Sequence, residues 1–397
     1  MIYTPKEEGE ERIKKLQSYF AAKGIDGALI MQNADLFYFA GTVQQSNLYV
    51  PSKGLPMLMV KKGLWRARIE SAVDCIVPLK SWRDIPSILR ANGYLVPKYL
   101  GLEMDVLPAN LYLGFREIFP GAVFIDVSSA IRRIRALKSE FELAALHRAA
   151  KIGERTTQAM PELLAEDTSE IALAGKLEAV ARAEGHQGFI RFRLWNNELF
   201  YGHLMAGKNA ALSSYLQSPT GGAGLSPAFP QGAGFCKIQS GVPILFDYVF
   251  ISDGYMVDQT RIYAIDYLSD ELLQAHRAML EIQDAITRAA MPGASGDEIY
   301  HLAVNMARKL GYEDNFLGYD ENRISFVGHG LGLELDEFPF LANGQDAPLE
   351  AGMVIAVEPK VIFPNVGTVG IENTFVITKH GAKRITLGSD DVVILRS

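Results

Sequence analysis

The chain has 397 residues, 48% hydrophobic and 21% charged, with a formal net charge of −7. That length exceeds the usual single core, so two domains are expected. The acidic balance argues against nucleic acid or an anionic membrane surface as the main partner. The two cysteines, Cys75 and Cys236, lie far apart and give no disulfide framework or cysteine-type zinc site, which fits a reducing cytoplasm. The charged N-terminus lacks the apolar stretch of a signal peptide, and no apolar run reaches the ~18 residues of a membrane span. A soluble, cytoplasmic protein is expected.

In chain order, residues Glu8–Ala22 form an amphipathic helix through Ile13, Leu16, Tyr19 and Phe20, closed by Gly24. Short apolar runs follow at Gly27–Met31, Pro56–Val60, Tyr99–Leu102 and Val123–Ile125, with helix-like segments at Trp82–Ala91 and Pro108–Phe119 between them. This alternation predicts an α/β layer domain over about the first 130 residues. It has no phosphate-binding glycine loop, so a nucleotide role has no support. Helices are predicted at Ser128–Arg135, at Ser139–Leu164 and from Thr168 or Ser169 to Gly185, with the domain junction falling among the first two. The segment from Pro219 to Gly234 is too broken by proline and glycine for regular structure and reads as a long loop. Two more helices, Ser269–Ala290 and Ser295–Leu310, separate sets of strands. The later strands are expected at Ile324–Val327, Met353–Val357, Val369–Thr378 and Val392–Leu395, so the C-terminal part is α+β.

The chemistry gathers on Pro243–Ile265, where two apolar runs flank Ser252-Asp253-Gly254, a tight-hairpin signal. Each run holds one aspartate, Asp247 or Asp258. A Ser252-Asp253 loop makes them direct neighbours and an Asp253-Gly254 loop makes them diagonal ones; both put them on one face. Two buried like charges repel and desolvate poorly unless a cation lies between them. The plainer alternative is one solvent-facing and one strand-end aspartate. Three further residues join them. His329 stands among glycines, Glu358 ends the apolar strand Met353–Val357, and Glu372 lies in an otherwise almost uncharged strand. Lys360 is the only basic residue near these glutamates, and its side chain is expected to point elsewhere. Four carboxylates and one imidazole suit two divalent cations such as Mn²⁺, Co²⁺, Fe²⁺ or Zn²⁺. Two such ions roughly 3.5–4 Å apart activate water and polarise a carbonyl, so hydrolysis is the implied reaction.

These residues resemble a known family. Asp247 and Asp258, with Gly254-Tyr255 between and Gln259-Thr260-Arg261 after, are similar to the DxGxxxxGYxSDxTR signature of the creatinase/methionine-aminopeptidase ("pita-bread") fold. Gly328-His329-Gly330-Leu331-Gly332 resembles its GHGxG, Glu358-Pro359 its EPG, and Ile371-Glu372-Asn373-Thr374 its IEDT. The resemblance implies an α+β pita-bread catalytic domain, residues 137–397, behind an α/β creatinase-type N-terminal domain, residues 1–136. It implies metal ligands Asp247, Asp258, His329, Glu358 and Glu372 for two divalent ions, with Mn²⁺ favoured. It also implies an Xaa-Pro aminopeptidase or Xaa-Pro dipeptidase activity on small peptides, Glu358 as general base, and a homodimer.

Three positions depart from the family pattern. Its histidine about seventeen residues before the first aspartate falls near Pro230, its histidine seven after the ligand histidine is Asp336, and its arginine two before the last glutamate is Gly370. His203 is the candidate substitute for the first, and Asp336 a candidate proton carrier or binder of a cationic group. His147, His186, His276, His301 and His380 are expected to serve structure; Trp195, Tyr201 and Phe229 are candidate pocket residues. Two alternatives to a peptidase follow: a creatinase-like hydrolase of a non-peptide C–N bond, and a non-catalytic binding protein on the same fold. Full retention of the ligand set counts against a metal-free version of either.

Overall fold

The computed structural model describes residues 2–396 and divides into two compact units, Met1–Arg135 and Ala136–Ser397. In the first, α1 (Lys6–Lys23) precedes β1 (Gly27–Ile30), α2 (Asn33–Ala40), β2 (Ser46–Pro51), β3 (Met57–Val60), α3 (Leu64–Glu70), β4 (Cys75–Pro78), α4 (Ile85–Ala91), β5 (Tyr99–Leu102), α5 (Ala109–Ile118), β6 (Val123–Asp126) and α6 (Ser128–Ala136). Their six strands make one mixed sheet in the order β4-β3-β2-β1-β5-β6. Helix α1 buries Ile13, Leu16 and Phe20, spaced three and four residues apart on one stripe, and Gly24 closes it at φ 67°. The sequence signals missed α2, because its cap is Gln32, whose side chain accepts from the Ala34 and Asp35 N–H groups. Glutamine is not among the residues that ordinarily mark a helix start.

The second unit begins with α7 (Glu140–Leu163) and α8 (Glu170–Ala183). Ser139 and Glu142 form a reciprocal capping box at the start of α7. Strands β7 (Gly202–Ala206), β8 (Ile244–Ser252) and β9 (Tyr255–Ile265) follow, then α9 (Asp270–Ala289) and α10 (Gly296–Lys309). The chain closes with β10 (Phe326–Leu331), β11 (Leu335–Ala342), β12 (Val354–Val357), β13 (Lys360–Phe363), β14 (Gly367–Gly370), β15 (Asn373–Thr378), β16 (Gly381–Arg384) and β17 (Val393–Leu395). One sheet runs β17-β9-β8-β7 and another β11-β10-β12-β15-β16, with β13-β14 as a separate ribbon. Leu272, Ala275, Met279, Ile282 and Ile286 of α9 join Ile355, Val357, Val361 and Val369 in one core. Each large aliphatic side chain so buried contributes about 1.5–3 kcal/mol. Residues 219–234 contain neither helix nor strand.

The strand expected over Val369–Thr378 is two strands. Gly370 pairs with Lys360 in the ribbon, whereas Asn373 pairs with Val357 in the larger sheet. The chain changes partners at Ile371-Glu372, and Glu372 instead bridges to Thr260 of β9. That switch is what lets a glutamate sit at the junction of three strand systems.

Candidate metal centre

The hairpin supplies the first two acids. Ser252 pairs with Tyr255, so Asp253-Gly254 forms the turn, with both residues at positive φ (51° and 86°) as a tight hairpin turn of this kind requires. Asp247 therefore pairs with Thr260, Asp258 with Val249, and the two aspartates are diagonal neighbours on one face. Helix α7 backs this hairpin closely: a Cβ on Gly153 would lie 2.9 Å from the Phe250 ring. On the other side of β8, His203 of β7 stands opposite Asp247.

The second sheet supplies the rest. His329 lies on β10, paired with Ala356 of β12, and Glu358 follows the end of β12. His329 Nδ1 is 3.1 Å from the Gly330 carbonyl, an acceptor, so Nδ1 carries a proton and, in the neutral ring, Nε2 keeps the lone pair. That Nε2 faces Glu358 Oε1 at 3.7 Å and Glu372 Oε1 at 3.8 Å. Asp336 Oδ1 is 3.5 Å from Nδ1, on the far side of the ring. Burial disfavours the imidazolium, but Asp336, Glu358 and Glu372 outweigh it and raise the His329 pKa. Asp258, His329 and Glu372 are all buried, and each offers one ligand atom within 4.8 Å of the others. Asp258 Oδ1 is buried without a hydrogen-bond partner, a donor atom in want of a cation. Burial and then the charges of Glu372 and Asp247 push the Asp258 pKa well above the carboxylate range. Burial likewise carries Glu372 up to about 8, although Lys360 works against that rise.

Lys360 is the correction to the sequence reading. Its side chain does not point elsewhere; it is buried in the centre, with Nζ 2.8 Å from Glu358 Oε2, 2.7 Å from Glu372 Oε2 and 3.2 Å from Asp247 Oδ2. An ammonium carries three donors, and here each faces a carboxylate oxygen. Burial opposes its charge, yet Asp247, Glu358 and Glu372 more than compensate and hold its pKa well above the ordinary lysine value. The signal was in the sequence: residues 358 and 360 are two apart in an extended stretch, and period two puts them on one side.

His203 is buried, and its Nε2 lies 3.2 Å from Gln231 Oε1. The Gln231 amide donates to the Glu198 carbonyl and the Tyr215 hydroxyl, which fixes Oε1 as the acceptor toward the ring. Nε2 of His203 is therefore the protonated nitrogen, and Nδ1 is an acceptor in the neutral ring. Burial lowers the His203 pKa and favours that neutral form. Gln231 carried no sequence signal of its own beyond standing beside Pro230. His203, Asp247, Asp258, His329, Glu358 and Glu372 line an open pocket of about 70 Å³, together with Asp336 and apolar Phe192, Leu199 and Phe326. Trp195, Tyr201 and Phe229 do not line it. Trp195 is 93% exposed, and Tyr201 stacks on His186, whose Nε2 is bound to the Val249 carbonyl at 2.7 Å.

The pattern of metallopeptidase family M24 matches residues 144–379, and that of the creatinase/prolidase N-terminal domain matches residues 12–137. An Xaa-Pro dipeptidase of Pyrococcus furiosus is 26% identical over 389 residues, spanning 95% of this chain and 98% of its own. A peptidase of Bacillus subtilis described as uncharacterized is 28% identical over 392 residues, spanning 97% and 100%. The solved structure of an Xaa-Pro dipeptidase from Bacillus anthracis matches with a TM-score of 0.83 at 25% identity, over 98% of this chain and all of that one. A prolidase from Pyrococcus horikoshii, at 24% identity, shows the same fold with a TM-score of 0.80. The creatinase-type N-terminal domain and the pita-bread catalytic domain expected from the motifs are thus the observed architecture. With more than half of its length inside the catalytic-domain match, the chain belongs to metallopeptidase family M24.

Proposed function

We propose that this chain is a metal-dependent hydrolase of the amide bond in a small peptide, of the Xaa-Pro dipeptidase kind. The observation that carries the reading is the convergence of Asp258, His329 and Glu372, with ligand atoms within 4.8 Å of one another, on a narrow cavity. Among the five ligands expected from the sequence, His329 Nε2, Glu358 Oε1, Glu372 Oε1 and Asp258 Oδ1 are not engaged by Lys360, which holds one oxygen each of Glu358, Glu372 and Asp247. Mn²⁺ remains the favoured ion for so oxygen-rich a set.

A divalent ion held there supplies Lewis-acid polarisation of the scissile carbonyl and lowers the pKa of water. The remaining work belongs to the chain. The Gly330 carbonyl, accepting from Nδ1, holds the His329 ring in the tautomer that presents Nε2, and the Asp336 carboxylate 3.5 Å from the same nitrogen supports it electrostatically. Glu358 takes the proton of the attacking water and hands it to the leaving amine nitrogen, which must be protonated for the C–N bond to break. His203, neutral with Nδ1 as acceptor, receives a hydrogen bond from a substrate N–H. The apolar wall of Phe192, Leu199 and Phe326 suits a proline ring or another small apolar group.

A second reading, a hydrolase of a small non-peptide amide, is favoured by the small cavity and by Pro230, Asp336 and Gly370 in place of the family's histidines and arginine. Dialysis against chelator, followed by Mn²⁺ or Co²⁺, separates the two. Metal-restored cleavage of Xaa-Pro dipeptides is the expected result. Restoration only on non-peptide amides selects the second reading, and no turnover on either panel removes both. A homodimeric, cytoplasmic enzyme completes the proposal; among the described residues no helix is long and apolar enough to cross a membrane.

A further inference from the structure

Every carboxylate oxygen that faces Lys360 is matched by a partner oxygen that does not. Glu358 turns Oε2 to the ammonium and Oε1 toward His329; Glu372 does the same. Glu372 Oε2 also accepts from the Thr260 hydroxyl at 3.0 Å, so its two lone pairs are filled. Asp247 is drawn to the lysine at 3.2 Å. Asp258 makes no ion pair with the ammonium and keeps Oδ1 without a partner. The cluster thus divides into one half saturated by an ammonium and one half open. The lysine is also built in from behind. Lys360 pairs directly with Gly370 across the β13–β14 ribbon, and a Cβ at position 370 would lie 2.7 Å from Lys360 Cα and 2.8 Å from its Cγ. Any side chain at 370 would therefore crowd the stem that carries the ammonium inward.

We propose that Lys360 Nζ is a resident cation of this centre, taking the place of one of two metal ions, so that each chain binds a single divalent ion beside Asp258, His329 and Glu372. The proposal rests on the reading of those three residues as metal ligands. An ammonium neutralises one carboxylate charge where a divalent ion would neutralise two, and it offers no Lewis acidity. The fixed lysine therefore leaves a centre with one activating ion and a hydrogen-bond clamp on Glu358, Glu372 and Asp247.

The test counts metal by native mass spectrometry and elemental analysis of the full-length protein after saturation with Mn²⁺. Wild type is expected to hold one ion per chain, and Lys360→Gly, which removes the ammonium and its stem, two. Two ions in wild type, or no gain in Lys360→Gly, overturns the proposal. Should Lys360→Gly fail to fold, Lys360→Met keeps the stem and removes the charge. Paramagnetic resonance of the Mn²⁺-loaded wild type then serves as a second readout: an isolated ion supports the proposal and a spin-coupled pair overturns it. Failure of the underlying metal reading has a different signature, no ion in wild type, and the gain in the variant still decides the role of the lysine.

Discussion

Asp336 stands where the family pattern has a histidine, yet its carboxylate lies 3.5 Å from His329 Nδ1, the nitrogen that does not face the cluster. A carboxylate behind a ligand imidazole fixes the ring and raises its basicity, and loss of such a partner costs about 10–100-fold in metal affinity. Asp336→Asn keeps the shape and removes the charge. The expected outcome is Mn²⁺ affinity weaker by roughly that factor, measured by competition with a fluorescent chelator, with turnover largely restored at saturating metal. A proton carrier would behave oppositely: metal affinity would hold, turnover at saturation would fall, and one limb of the pH–rate profile would move. The approach of Asp336 to His329 Nδ1 is a contact that its place in the sequence does not reveal.

At the scale of elements, the hairpin β8–β9 is held in place by close contact with α7. Gly153 is in the interior of that helix, where replacement by alanine ordinarily adds about 1 kcal/mol of stability. Here the new Cβ would lie 2.9 Å from the ring of Phe250, which is fully buried and cannot swing aside, and 3.3 Å from Gln259 Oε1. Overpacking of this kind costs about 1–3 kcal/mol, so Gly153→Ala is expected to lower stability by about 1 kcal/mol net, seen as a lower urea midpoint at unchanged slope. A rise in the midpoint would mean that α7 can move away from the sheet at no cost. The same elements show what was legible beforehand. Asp258 and Glu372 could be found because an acid inside an apolar strand needs a partner, and the hairpin face followed from period two. His203 opposite Asp247, and the break at Ile371-Glu372, depend on pairing between segments far apart in sequence, which no local pattern encodes. Lys360 lies between these cases: parity with Glu358 set its side, while the three acceptors that justify burying it come from separate strands.

Across the whole catalytic unit, the centre ties β8, β9, β10 and the ends of β12 and β14 together through charges that are costly when nothing neutralises them. In the metal-free protein, burial raises the Asp258 pKa, and raises Glu372 to about 8 even with Lys360 beside it. A carboxyl with a raised folded pKa binds more protons in the native state than in the unfolded one, so stability falls as pH rises. For Glu372 that contribution is fully present below the ordinary carboxylate value near 4.5 and is lost on approach to about 8. A bound divalent ion replaces those protons, and its affinity grows as they become easier to displace. At one hundred times its dissociation constant an ion stabilises the native state by about 2.7 kcal/mol, worth about 5–10 °C in Tm for a unit of this size. Thermal melts of chelated and Mn²⁺-saturated protein should therefore differ by about that much at pH 8 and by clearly less at pH 5.5. Asp258→Asn should abolish the difference at both pH values. A gap that widened toward acid pH would place the ion on groups other than these buried carboxylates.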